Sequence, residues 1–172
     1  MSKALFVTAN EVKRKSNIQG NVDDDKIIQF IEKSQEIHVQ NRMGTNLYEK
    51  IQGLLEAETM DEVANAAYKT LWMNYIKPMA VWYAIDDYLP WAMFEISNAG
   101  VFKKFSQTAE PVTIDEIGKL QNESRAAAEF YSERFTDYVC DNSDDYPEYI
   151  TTSSNSDMHP DGSSSHGSPW VL

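Results

Sequence analysis

Carboxylates, one early histidine and a single cysteine are the residues of this chain whose chemistry could be put to work. Asp23-Asp24-Asp25 offers oxygen ligands of the kind a hard cation prefers. A calcium loop, however, alternates its acids around a glycine. Here the run stands where a helix begins, and first-turn acids complement the positive helix end by about 0.3–1 kcal/mol each. Asp86-Asp87 lies among Trp82, Tyr83, Tyr88 and Trp91. Two carboxylates with separated pKa values can act as acid and base. Neighbours on a helix point about 100° apart, so this pair cannot face one another, and a solvated face or subunit contact is expected. His38 has no His, Cys or acid at ligand spacing and reads as a hydrogen-bonded core or rim residue. His159 and His166 sit beside Pro160 and Gly167 and read as exposed. Cys140 is flanked by Asp137 and Asp141, which raise a thiol pKa and leave a poor nucleophile. GxxxxGK[ST], GxGxxG, GxSxG and HExxH do not occur. No catalytic, cofactor-binding or metal-ligating residue is assigned, and the expectation is a protein that is not an enzyme and carries no cofactor.

The elements that position these residues are helical. Thr8-Ala-Asn-Glu11, Thr59-Met-Asp-Glu62 and Thr113-Ile-Asp-Glu116 are capping boxes, in which a hydroxyl and a carboxylate satisfy first-turn amides reciprocally. The first opens a short helix ending near Ser16, followed by a turn at Asn17–Gly20. A longer helix runs from Asp23 or Asp24 to Met43, with Ile27, Ile31, Ser34, Ile37, His38 and Asn41 on one stripe. Gly44 ends it, and Thr45 caps a helix to about Leu55. The second box opens the largest helical region. There Tyr68, Trp72, Tyr75, Met79 and Trp82 recur at helical spacing beside Ala64, Ala67 and Leu71. Apolar residues on more than one face require burial on several sides, by the same domain or by a neighbouring subunit. Pro78 places a kink or break near Asn74 to Lys77, Pro90 another near the far end, and Asn98-Ala-Gly100 closes the region. Val101 to Val112 reads as a loop or short hairpin, and the third box opens a helix to about Asp141. The fold class is mainly α: a four- to five-helix bundle with a short loop or β-hairpin insertion and a flexible C-terminal tail.

Charge and composition set further bounds. The formal net charge is −12, which opposes a tight DNA grip or attachment to an anionic bilayer. The longest apolar stretch, Pro78 to Ile96, is broken by Asp86, Asp87 and Glu95, so no membrane span is expected. One cysteine makes no internal disulfide and suits a reducing cytoplasm. Beyond Arg134 there is no Lys or Arg, and the last 38 residues carry seven acids. From Ile150 the chain turns to Ser, Thr, Asn, Gly and Pro, which bury too little apolar surface to offset ordering entropy. The division is a helical body, 1–149, and a Ser/Asp-rich flexible tail, 150–172. Candidate subunit or partner contacts are Tyr68, Trp72, Tyr75, Met79 and Trp82, together with Trp170, an isolated indole able to fill a partner's pocket.

A set of short motifs, in order, resembles a known family. They are Thr8-Ala-Asn-Glu-Val-Lys13; Gly20-Asn-Val-Asp-Asp-Asp25; Gln40-Asn-Arg-Met-Gly-Thr-Asn-Leu-Tyr48; Ile76-Lys-Pro78; Leu89-Pro90; Ile96-Ser-Asn-Ala-Gly-Val101; and Tyr138 to Asn142 with Tyr146-Pro-Glu-Tyr149. Together, over residues 4 to 150, they resemble the head–tail connector (adaptor, or neck-ring) proteins of tailed bacteriophages, as in crAss-like phages. That resemblance implies a virion protein made in the host bacterial cytoplasm. It would form a homo-oligomeric ring, commonly twelvefold, between the portal protein and a tail or second neck-ring protein. DNA would pass through without sequence-specific binding, and no catalytic residue is implied. An acidic lumen would keep DNA from sticking, and Val101–Val112 and the tail would dock on the portal or tail side. The alternative is a small helical interaction module or regulator, acting as monomer or dimer through the aromatic helix. A third class, a metal-dependent hydrolase built on Asp23–Asp25 or Asp86–Asp87, would bind a divalent metal.

Overall fold

The computed structural model describes residues 4–16, 18, 22–92, 94–97, 100–103, 113–150 and 157–160. Helix α1 (Ala9–Lys15) opens on its capping box: Thr8 Oγ1 accepts from the Glu11 N–H, and Glu11 Oε2 accepts from the Thr8 N–H at 2.9 Å. Helix α2 (Asp24–Ser34) starts on Asp23, whose side chain accepts from the Asp25 N–H. It runs through a π turn (Gln35–Val39) into α3 (Gln40–Met43) as one rod. Gly44, at φ +73°, ends the rod as expected, and α4 (Thr45–Glu56) leaves from it.

Two expected caps do not form. Thr45 is the first helical residue of α4, and its hydroxyl accepts the Met158 N–H at 2.9 Å. The Thr59–Glu62 box is absent because Thr59 is drawn backwards: its N–H donates to the Leu54 carbonyl at 3.0 Å and closes the end of α4. A 3₁₀ turn (Val63–Asn65) intervenes, and α5 (Ala66–Leu71) starts later than the sequence suggests.

The kink expected before Pro78 takes the form of a second π turn (Trp72–Ile76) leading into α6 (Lys77–Tyr88). Proline cannot donate, and the wider turn absorbs the missing hydrogen bond. Pro90 lies in a 3₁₀ turn (Leu89–Trp91), after which the backbone becomes extended. Strands β1 (Phe94–Ser97) and β2 (Gly100–Lys103) form an antiparallel hairpin pairing Phe94 with Lys103 and Ser97 with Gly100. Helix therefore ends earlier than Asn98–Gly100, and the hairpin begins ahead of the expected Val101–Val112 segment and overlaps it at 101–103, while 104–112 fall outside the described residues. The third box forms as expected and opens α7 (Ile114–Asp141), which a 3₁₀ turn (Ser143–Asp145) links to α8 (Pro147–Ile150). The chain is mainly α-helical.

Helix α6 packs against α7, α2 and α1 at once. Met79, Ala80, Val81, Tyr83, Ala84 and Ile85 are buried around its circumference, so the several-sided burial expected of this region comes from its own domain. Around it the core gathers Phe6, Ile27, Ile31, Met43, Leu47, Ile51, Phe135 and Tyr146. No helix among the described residues is long and apolar enough to cross a membrane.

The expected turn at Asn17–Gly20 and most of the tail lie outside the described residues. Residues 157–160, within that tail, pack on the α3–α4 corner. The Thr45 N–H donates to the Met158 carbonyl at 3.0 Å, and a Cβ at Gly44 would meet Pro160 Cδ and Cγ at 2.7 Å. Gly44→Ala is thus expected to cost about 1–2 kcal/mol, from the left-handed φ and from Pro160. A Cβ at Gly53, inside α4, meets nothing within 4 Å. Gly53→Ala is expected to gain up to about 1 kcal/mol. Paired urea titrations check the opposite signs, and equal effects would reject both assignments.

Candidate interaction surface

The aromatic residues of the α5–α6 rod share a periodicity but not a destination. Tyr68 donates its hydroxyl to Glu148 Oε2 at 2.8 Å and meets Tyr146 edge-on at 5.7 Å. Burial and the Glu148 carboxylate push its pKa up. Tyr75 stacks on Tyr138 of α7 at 4.1 Å, with the Arg134 guanidinium 5.5 Å from its ring centroid. Trp72 turns the opposite way: its indole N–H donates to the Phe6 carbonyl at 3.0 Å, and the Lys77 ammonium lies 4.2 Å from its ring centroid. Met79 is fully enclosed by its own chain and is a core residue, which corrects its expected place at a contact surface. Trp82 is half-buried and faces a groove. Trp170 lies outside the described residues.

That groove is a concave surface open to a partner. A cavity of about 570 Å³ is walled by Val7, Met73, Pro78, Val81, Trp82 and Tyr131, with Glu11, Arg14, Lys15 and Lys77 at its edges. A second, of about 530 Å³, shares Lys15 and Trp82 with it and continues between Tyr88 and Leu120. Lys77 and Glu11 satisfy each other at 2.6 Å. Burial alone would raise the Glu11 pKa, but Lys77 and the Thr8 cap outweigh it and hold it low. Arg14 and Lys15 are exposed and pair with no acid among the described residues. Apolar walls with unpaired cations at the rim fit an anionic, partly apolar protein surface.

The adjacent aspartates have different fates. Asp86 is buried within its own chain, not on the solvated face or subunit contact expected, and Arg125 of α7 donates to its Oδ2 from Nε at 3.2 Å and Nη2 at 3.1 Å. Asp87 faces the other way, toward Lys33 at 2.9 Å and His38 Nε2 at 3.5 Å. His38 is a rim residue, as expected, and stacks on Tyr83 at 4.4 Å. Sequence reading missed these pairings because Lys33, His38 and Arg125 belong to helices remote in the chain.

Burial would raise the Asp87 pKa, but the nearby His38 imidazole and the hydrogen bond from Lys33 outweigh it and set it below the ordinary 3.8. A lowered carboxylate pKa stabilises the fold fully above 3.8, and that contribution is lost as pH falls through the folded value. Asp87→Asn should therefore be less stable at pH 7 and show a shallower loss between about pH 4 and pH 2. Thermal midpoints across that range check it; parallel curves would reject it.

Cys140 is exposed, and partial desolvation of its thiol together with the Asp137 and Asp141 carboxylates pushes its pKa up, as its neighbours led us to expect. Asp137, Asp141, Asp144 and Asp145 are exposed at the end of α7 and in the turn after it, and form no salt bridge among the described residues. No curated protein and no solved structure matches the chain. The model of a family of unknown function, DUF6712, matches residues 39–158, more than half of the sequence, and the chain belongs to that family.

Proposed function

We propose that this chain is a structural subunit of a tailed-phage neck, a ring-forming connector that joins the portal to the tail and extends the DNA channel. The observation that carries the reading to an assembly role is a surplus of apolar surface on a subunit whose core is already closed. Met73, Trp91, Leu120 and Phe130 are each about half exposed, and Met73 and Leu120 line the groove along α6. Surface of this kind marks contact with another protein. The resemblance over residues 4 to 150 names the neighbours: further copies of the chain, the portal protein, and a tail or second neck-ring protein. The net charge of −12 is compatible with a channel through which DNA must slide.

The same groove also favours the second reading, a small helical module that binds one partner as monomer or dimer. Light scattering over a range of concentrations, with and without the portal protein, separates the two. A particle of ten or more subunits, or a shift onto the portal, is expected for the connector. A small particle that ignores the portal at every concentration would leave the module reading in front.

A further inference from the structure

We propose that the groove between α1 and α6 receives the acidic α7–α8 corner of a second copy of this chain. This deepens the connector reading by naming the two surfaces that meet.

The groove side has apolar walls from Met73, Val81, Trp82 and Tyr131, and Arg14 and Lys15 at its rim without an acid partner among the described residues. Two cations without an acid partner among the described residues stand out in a chain of net charge −12. The corner side is the reverse. Asp137 and Asp141 occupy the last turns of a 28-residue helix that has no basic residue in its final turn. Asp144 and Asp145 follow at once, both exposed. Acids there oppose the negative end of the helix dipole, and the unpaired carboxylates repel one another. The isolated subunit thus carries two electrostatically unsatisfied patches of opposite sign.

Each patch lacks what the other supplies, so contact between copies relieves both. A second copy is favoured over an unrelated partner because one sequence carries both halves. Two different patches meeting between copies make a head-to-tail interface, which closes into a ring when the rotation permits and otherwise propagates as a filament. The Trp82–Tyr131 wall supplies apolar area, and the charges set approach and register.

The test uses the full chain and three variants: Arg14→Glu/Lys15→Glu, Asp141→Lys/Asp144→Lys, and all four substitutions together. Sedimentation velocity at low and at 0.5 M salt, of the order that cuts the screening length to a few ångströms, reads association. Each double variant should raise the concentration for half-assembly about tenfold or more. The quadruple variant should regain assembly, as should an equimolar mixture of the two double variants, whose patches are complementary. Asp141→Lys/Asp144→Lys should also raise the thermal midpoint, because it repairs the helix end. That separates loss of contact from loss of fold.

A wild type that assembles while both double variants assemble equally well would overturn the pairing of surfaces and leave the ring reading standing. Charge-swap rescue with only dimers or open filaments would support the pairing and count against the ring. A wild type that stays monomeric at every concentration would overturn both.

Discussion

Gln35→Leu is expected to lower the unfolding free energy by about 2–4 kcal/mol, although leucine fills much the same space. Gln35 is buried at the start of the first π turn, and its carboxamide acts as a backbone surrogate. Its Oε1 accepts the Phe6 N–H at 2.8 Å, and its Nε2 donates to the Ala4 carbonyl at 2.9 Å and to the Tyr48 hydroxyl at 3.1 Å. Leucine would leave the buried Phe6 amide without a partner, and such a group retains its full desolvation cost. The effect reaches the groove as well. Phe6 accepts the Trp72 indole proton, and Val7 forms part of the groove wall, so releasing residues 4–7 loosens that side of the cleft. Urea unfolding with hydrogen exchange at the Phe6 amide checks both effects. Glu56→Ala, which among the described residues removes only the exposed 3.3 Å contact to the Ala4 amide, is the control and should cost no more than about 0.5 kcal/mol. Equal losses in the two variants would show that Gln35 holds nothing special.

Arg125→Met is expected to cost about 3 kcal/mol, because it strands the Asp86 carboxylate in the interior. The Asp86 side chain is only 2% exposed, whereas that of Arg125 is 54% exposed. Both arginine donors converge on Oδ2, and Oδ1 finds no hydrogen-bond partner among the described residues. Removing the guanidinium therefore leaves a charge with little solvation. The effect belongs at the lower end for buried pairs, since water can approach from the arginine side. Asp86→Leu/Arg125→Met removes both charges and should recover most of the loss, as apolar replacements of buried pairs commonly do. Denaturant titrations of the single and double variants check this. A single-variant loss below about 1 kcal/mol would mean that the carboxylate stays hydrated in the folded chain.

These two residues show where sequence reading stops. The capping boxes at Thr8 and Thr113, the stop at Gly44 and the disturbance before Pro78 were legible because each depends on residues within one or two turns. The box at Thr59 has the same local pattern and does not form, because Leu54 offers a carbonyl that the Thr59 amide takes first. The hairpin at Phe94–Lys103 was placed late for a related reason. Its strands span four residues each, too few for alternation to stand out beside a long helical pattern. Periodicity put Tyr68, Trp72, Tyr75, Met79 and Trp82 on helical spacing without saying what each would meet. They separate into partners of α7 and α8, a clasp on residue 6, the core, and a groove wall.

The sequence by itself determined the helical class, most helix starts and stops, the acidic balance and the upward push on the Cys140 thiol pKa from its acidic neighbours, because these follow from neighbours along the chain and from composition. Only the tertiary structure decided that Asp86 is buried against Arg125 while Asp87 turns to Lys33 and His38. It alone decided that Gln35 stands in for backbone, and that Arg14 and Lys15 edge an apolar groove. Each of these depends on which helices lie side by side. Packing of apolar faces selects that arrangement, and the polar groups then find their partners among residues many positions away in the chain.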